Sequence, residues 1–249
     1  VGLGYVGLPR AIQFCNKNIE VYGIDNDNYK IKLLKKGKSY IINVKDSDVR
    51  INSKKKLFIP TSDFSNIRKV DVIIICVPTP LNKNLQPELK YINNTFKELK
   101  KYLKKNQLIC LESTSYPGTT TETIISKLDN NFKLGKNLFV GYSPERNDPS
   151  LKNINIEKIP KLVSGYSRNC LAVTNLLYKI IFKKTVIMST LRMAEMTKLY
   201  ENIYRAINIG FVNEMKKVCI KMSLDIDEII AAAKSKPFGF QAFYPGPGL

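Results

Sequence analysis

The chain has no histidine among its 249 residues. That excludes Ser-His-Asp triads, histidine metal sites and histidine general bases within it, so acid–base work falls to Glu, Asp, Lys, Tyr or water. Cysteine is sparse: Cys15, Cys76, Cys110, Cys170 and Cys219 form no CxxC pair and no evident disulfide framework. This pattern points to a reducing, cytoplasmic compartment and, with no zinc spacing, to no metal centre. Long apolar runs are missing too. The longest, Val72-Ile73-Ile74-Ile75-Cys76-Val77, is far too short to cross a bilayer and suits a strand buried on both faces, so no membrane partner is expected. Acids are outnumbered, 21 against 40 lysines and arginines, for a net charge of +19. The lysines lie in scattered short clusters such as Lys35-Lys36, Lys54-Lys55-Lys56 and Lys183-Lys184, without a helix-turn-helix or zinc-finger cue. The excess therefore reads as solvated faces, and no nucleic-acid partner is expected.

With 44% hydrophobic residues, the chain is able to fill a core. Apolar runs at Val1–Leu3, Ile19–Ile24, Leu57–Ile59, Val70–Val77, Leu108–Leu111, Leu138–Val140, Leu162–Ser164 and Thr185–Met188 alternate with helical stretches. Such alternation predicts an α/β fold, a doubly wound Rossmann-like parallel sheet. From Leu191 the pattern becomes one long helical stretch to about Met222, followed by a second helix at Ile226–Lys234 that Lys236-Pro237-Phe238-Gly239 breaks. Residues 1–188 are thus expected to form a nucleotide-binding domain. Residues 189–249 are expected to form a long connecting helix and the start of an all-α middle domain.

Val1-Gly2-Leu3-Gly4-Tyr5-Val6-Gly7-Leu8-Pro9 contains G-x-G-x-x-G between a short apolar run and a helix. Gly2 permits the tight turn, Gly4 lets backbone approach a pyrophosphate, and Gly7 allows close helix packing, while the helix N-terminus offers N–H groups to the anion. Gly2, Gly4, Tyr5, Val6 and Gly7 are the candidate phosphate cradle of NAD. Asp25 ends the next strand, about 18 residues beyond Gly7, near where a ribose-binding acid belongs; a carboxylate there repels a 2′-phosphate and favours NAD over NADP. Asp25-Asn26-Asp27-Asn28 also reads as a plain turn.

In a doubly wound sheet, ligands bind beyond the carboxyl ends of the strands. Those positions hold Pro78-Thr79-Pro80, Glu112-Ser113-Thr114-Ser115-Tyr116-Pro117-Gly118, and Tyr142-Ser143-Pro144-Glu145-Arg146. Thr114 could orient water or substrate, or bond its own backbone. Glu145 could act as general acid or base, or pair with Arg146. Lys198 and Asn202 lie one turn apart on the long helix and could stabilise an oxyanion, whereas Glu195 and Glu201 could pair with Lys198 on a solvated face.

Taken together, Gly2–Pro9, Val77-Pro78-Thr79-Pro80, Glu112-Ser113-Thr114, Tyr142–Arg146, Ala194-Glu195-Met196-Thr197-Lys198-Leu199-Tyr200-Glu201-Asn202 and Phe243-Tyr244-Pro245-Gly246-Pro247-Gly248-Leu249 resemble the UDP-glucose/GDP-mannose dehydrogenase family. These blocks span the chain in the family's order. The Tyr-Ser-Pro-Glu-Arg form, Ile159-Pro160-Lys161 and the tail from Lys236 are most similar to its UDP-N-acetylglucosamine 6-dehydrogenases. The resemblance implies oxidation of a UDP-sugar C6 alcohol to a carboxylate with two NAD, through a thiohemiacetal and a thioester on a cysteine. By position, Lys198 and Asn202 would hold the oxyanion, and Thr114 and Glu145 would position water and assist proton transfer. Gly2, Gly4, Tyr5, Val6, Gly7, Asp25, Thr79 and Thr114 would line the NAD site, while Glu145, Lys198, Asn202, Tyr244 and Gly248 would bind substrate. A homodimer through the long helix is implied as well.

The chain departs from that pattern in two places. The family's nucleophilic cysteine follows a Gly-Gly pair just after the Gly-Pro-Gly-Leu segment, and none of the five cysteines has that context. The expectation is a piece lacking the thiol and the C-terminal UDP-binding domain, and inactive alone. Beyond Glu145, Asn147 stands where the family often has an acid, with Asp148 next. The alternatives are a UDP-glucose 6-dehydrogenase and a non-catalytic NAD-binding or dimerisation module. Because the first residue is valine, targeting is not readable.

Overall fold

A computed structural model describes residues 1–146 and 156–248. The elements run α1 (Gly7–Cys15), β1 (Val21–Ile24), α2 (Asn28–Lys35), α3 (Asp46–Lys54), β2 (Phe58–Thr61), β3 (Val72–Ile75), α4 (Lys90–Lys100), β4 (Gln107–Leu111), α5 (Thr119–Thr123), β5 (Leu138–Tyr142), β6 (Lys161–Gly165), α6 (Arg168–Lys179), β7 (Thr185–Ile187), α7 (Leu191–Lys221) and α8 (Ile226–Lys234), with short 3₁₀ turns between some of them. Five strands pair in the order β3-β4-β5-β6-β7, and β1 pairs with β2. All these pairings are parallel except β5 with β6. The chain divides into two compact units, Val1–Met196 and Thr197–Leu249.

In the first unit the core follows from strand alternation. Every residue of β4 is buried. Ile109 and Leu111 pack with Ile92, Phe96 and Leu99 of α4, whereas Leu108 and Cys110 pack with Leu177 and Tyr178 of α6. Residues two apart on a strand share a face, so one apolar run feeds both layers. The three α4 residues recur at helical spacing, which puts them on one stripe. Cutting Phe96 to Ala would cost about 3–5 kcal/mol.

The expected strand at Val1–Leu3 is a shorter feature. The Val1 amine donates to the Ile74 carbonyl at 2.6 Å, Cys76 N–H donates to the Val1 carbonyl at 2.8 Å, and Gly2 N–H donates to the Ile24 carbonyl at 2.8 Å. These residues stitch β1 to β3, but Gly2 already turns to φ +87°, so the extended ladder stops there. A cavity of about 410 Å³ lies between the facing edges of β1 and β3, beside Ile24, Ile74 and Phe14.

In the second unit, Val212 and Cys219 of α7 pack with Ile226 and Ile230 of α8, against Ala242 and Phe243. Asp225 caps α8 by accepting from Asp227 N–H at 2.8 Å. The Asn213 side chain holds the tail, donating to the Gly246 carbonyl at 2.8 Å and accepting from its N–H at 3.0 Å. Tyr200, Ile203, Ile207, Phe211, Met215 and Val218 recur every three or four residues along α7 and are exposed.

Candidate functional site

The glycines of the opening turn divide the work by geometry. A Cβ on Gly2 would sit 2.8 Å from the Cys76 carbonyl oxygen in a left-handed backbone, and a Cβ on Gly7 would sit 1.7 Å from the Gly2 carbonyl oxygen. Both positions are closed to any side chain. Gly4 meets nothing within 4 Å, so its backbone faces open space, where a phosphate can approach. Helix α1 begins there at Val6 without a side-chain cap; Leu8 N–H already bonds to the Gly4 carbonyl at 3.1 Å, so it is the backbone ahead of Leu8 and the positive dipole end that face an anion. Tyr5 is exposed beside it. This open backbone next to an uncapped helix end fits a dinucleotide pyrophosphate.

Asp25 is buried at the carboxyl end of β1. Its Oδ2 accepts from Leu3 N–H at 2.8 Å and its Oδ1 from Asp27 N–H at 2.9 Å, with the Lys30 ammonium 3.7 Å away. The turn-forming reading describes these bonds: the carboxylate fixes the turn after β1 and pins that turn to the glycine loop. Thr79 Oγ1 donates to the Thr114 carbonyl at 2.7 Å, so the loops after β3 and β4 are tied together. Ser113 Oγ adds a bond to the Val77 carbonyl at 2.7 Å. Thr114 itself is exposed.

Glu145 joins a buried ionic network. Its Oε2 accepts from the Arg10 guanidinium and from Lys161 Nζ at 3.3 Å. Arg10 Nε also meets Glu112 Oε1 at 3.1 Å, Lys161 Nζ lies 3.4 Å from Glu112 Oε2, and Tyr178 donates its hydroxyl to Glu112 at 2.5 Å. Burial alone would depress the Arg10 pKa, but Glu112 and Glu145 more than offset it and hold the guanidinium above its ordinary value. Burial raises the Tyr178 phenol well above its usual range. Arg146 donates to the Pro160 carbonyl at 2.8 Å.

Glu195 is not on a solvated face. It is fully buried and accepts from Gly118 N–H at 2.6 Å, Thr120 N–H at 2.9 Å and Thr120 Oγ1 at 2.6 Å. An anion at the N-terminus of α5 satisfies amides that would otherwise lack partners. The first turns of α7 are thereby fastened to the loop that carries Thr114.

Lys198 and Asn202 are half-buried on α7 in the second unit, one turn apart, and Asn202 Oδ1 accepts from Arg205 at 3.1 Å. Tyr244 is exposed, and Gly248 has φ +83°. Asn147 and Asp148 lie outside the described residues.

Two family models match the chain. One, the UDP-glucose/GDP-mannose dehydrogenase family NAD binding domain, covers residues 1–182; the other, the same family's central domain, covers residues 192–249. The chain belongs to the UDP-glucose/GDP-mannose dehydrogenase family. It is 33% identical over 249 residues to UDP-N-acetyl-D-glucosamine 6-dehydrogenase of Pseudomonas aeruginosa, covering 99% of this chain and 58% of that protein. It is 36% identical over 250 residues to Protein CapL of Staphylococcus aureus, covering 99% and 57%. Among solved structures, UDP-D-ManNAc dehydrogenase from Pyrococcus horikoshii superposes with a TM-score of 0.91 at 29% identity, over 98% of this chain and 59% of that one. The chain thus spans a little over half the length of these relatives. Among the described residues, no helix is long and apolar enough to cross a membrane.

In this family member, sequence reasoning missed Arg10, Lys161, Tyr178 and the true setting of Glu195. One signal was available for Arg10. It shares the buried side of α1 with Gly7, Ala11 and Phe14, and a cation on an apolar helix face implies a buried anion.

Proposed function

We propose that the whole protein is an NAD-dependent nucleotide-sugar 6-dehydrogenase. It oxidises the C6 alcohol of UDP-N-acetylglucosamine, or a related UDP-N-acetylhexosamine, to the uronate in two hydride transfers through a thioester. The observation that carries this reading is the clustering of the open Gly4 backbone, Asp25, the tied Thr79 and Thr114 loops and the Glu145 carboxylate at the carboxyl ends of neighbouring strands. The Pseudomonas relative supports the choice of sugar.

In this reading, residues 1–188 form the NAD-binding domain and 189–249 the connecting helix and part of the middle domain. Gly2, Gly4, Tyr5, Val6 and Gly7 bind the pyrophosphate, Asp25 the ribose, and Thr79 and Thr114 the nicotinamide end. NAD supplies the hydride acceptor. Thr114 and Glu145 orient water and take up protons, and Lys198 with Asn202 stabilises the alkoxide-like oxygen by charge and hydrogen bonding. Tyr244 and Gly248 contact the sugar nucleotide. Burial pushes the Cys15 and Cys110 thiols up to about 12 and also raises Cys76, so none of these three suits the nucleophile.

The exposed apolar line Tyr200, Ile203, Ile207, Phe211 and Val218 on α7 supports a homodimer through that helix. Neither a nucleic-acid nor a membrane partner is part of this reading, and the compartment is the cytoplasm. The test is the whole protein with NAD and each of UDP-N-acetylglucosamine, UDP-N-acetylgalactosamine, UDP-N-acetylmannosamine and UDP-glucose. The expected result is two NADH per N-acetylhexosamine; one NADH per sugar, or the highest kcat/KM on UDP-glucose, overturns it. The 249 residues alone should give no steady NADH release.

A further inference from the structure

We propose that Arg10 and Lys161 are positioning residues that hold Glu145 in its carboxylate form, so that Glu145 accepts protons and orients water and does not serve as the proton donor. The inference rests on the reading above for what Glu145 does. Its structural content stands apart from that reading.

Arg10 is 4% exposed and Lys161 is 2% exposed. Each nitrogen of the guanidinium has its own acceptor: Nε on Glu112, Nη1 on Gln13 Oε1 at 2.6 Å, and Nη2 on Glu145 Oε2. Lys161 Nζ reaches the Pro144 carbonyl at 3.0 Å and the same Glu145 Oε2 at 3.3 Å. Neither side chain has an acceptor atom, so both can only donate. A proton on Oε2 would set a hydrogen against two donors, and a proton on Oε1 would remove the negative charge that the two buried cations face at close range. Among the described residues, the groups facing Glu145 are Arg10 from α1, Lys161 from β6, and Glu112 from β4 behind them, with the Tyr178 hydroxyl from α6 on Glu112. Two cations and two carboxylates balance. Of these four ionised groups only Glu145 has appreciable exposure, its side chain being 17% exposed against 0% for Glu112.

The cations cannot wander. Arg10 lies over the Phe182 ring at 4.8 Å, and Lys161 lies over the Tyr178 ring at 5.1 Å. Arg10 is also three residues into the helix that starts at the glycine turn. The carboxylate assigned to substrate chemistry and the backbone assigned to the cofactor are therefore set by one rigid element.

The experiment uses paired variants. Arg10→Met alone leaves two buried carboxylates to one cation and is liable not to fold, so the decisive variant is Arg10→Met with Glu112→Gln, which removes one charge of each sign. In the whole protein labelled at glutamate Cδ, the Glu145 signal, assigned by its loss in Glu145→Gln, should report a carboxylate down to a lower pH in the wild type than in the double variant. Identical titrations overturn the proposal, whatever the enzyme's activity. In the whole protein, the double variant should lose up to about 100-fold in kcat through misplacement of one group, with KM for NAD within about twofold, and Arg10→Lys should retain most of kcat. Wild-type kcat in the double variant, or a loss carried entirely by KM for NAD, overturns it as well. A wild-type protein that oxidises no UDP-sugar refutes the proposed function and leaves the titration to decide this one.

Discussion

Replacing Glu195 by Gln tests whether a buried carboxylate fastens the Thr114 loop to α7. The wild-type oxygens accept three hydrogen bonds, from Gly118 N–H, Thr120 N–H and Thr120 Oγ1. Glutamine keeps the shape but offers one oxygen and one NH₂ group. If its oxygen stays with Thr120, its NH₂ faces the Gly118 N–H, donor against donor. An unsatisfied buried donor costs about 1–3 kcal/mol, and each surviving bond weakens by about 0.5–1 kcal/mol on losing its charge. Relief of the carboxylate's desolvation offsets part of this. The net expectation is about 2–4 kcal/mol of lost stability, which at a slope of about 2 kcal/mol per molar lowers the urea midpoint by about 1–2 M. Circular dichroism reads the midpoint, and amide hydrogen exchange over residues 113–123 reads the loop, where Gly118 and Thr120 should lose protection first. A midpoint within about 0.2 M of wild type, with exchange at those two amides unchanged, refutes the reasoning.

Other expectations follow from the same geometry. Gly4→Ala should fold normally and bind NAD more weakly by calorimetry, since its Cβ meets no protein atom, whereas Gly7→Ala, whose Cβ would sit 1.7 Å from the Gly2 carbonyl oxygen, should disrupt the turn itself; equal effects would undo the division of roles. At pH 8, thiols raised to about 12 at Cys15 and Cys110 are thiolate in only about one molecule in ten thousand. Iodoacetamide should therefore label them only after unfolding, and rapid native labelling by mass spectrometry would count against their burial. Ile207→Glu with Phe211→Glu should convert the proposed dimer of the whole protein to monomer by light scattering, with little change in helix content; an unchanged mass would exclude this face as the interface.

The glycine turn was legible because its constraints are local. Gly2 needs a left-handed backbone and Gly7 needs the absence of a Cβ, and both demands show in residue type. The run at β3 and the stripe on α4 were legible for a similar reason, since alternation and helical spacing reflect burial directly. Arg10 was not, because its partners Glu112 and Glu145 lie 102 and 135 residues away, and in a chain of net charge +19 one more cation looks like surface. Glu195 was misread for the same reason. Its nearest charges in sequence suggested a helix-surface pair, while its real partners are backbone amides 75 and 77 residues back.

The stitch between β1 and β3 has a consequence for how the first unit holds together. Phe58 of β2 packs in one apolar cluster and β3 to β6 in two others, with Ile24 of β1 reaching across into one of these, and among the described residues the backbone bonds joining the two sets of strands run through Val1 and Gly2. The seam coincides with the phosphate turn. A dinucleotide lying across it would act as a keystone, adding RT ln(1 + [NAD]/Kd) to the cohesion of the two sets of strands. Cofactor concentration would then govern how often the sheet parts along this line, making the NAD level a determinant of the protein's lifetime as well as of its chemistry.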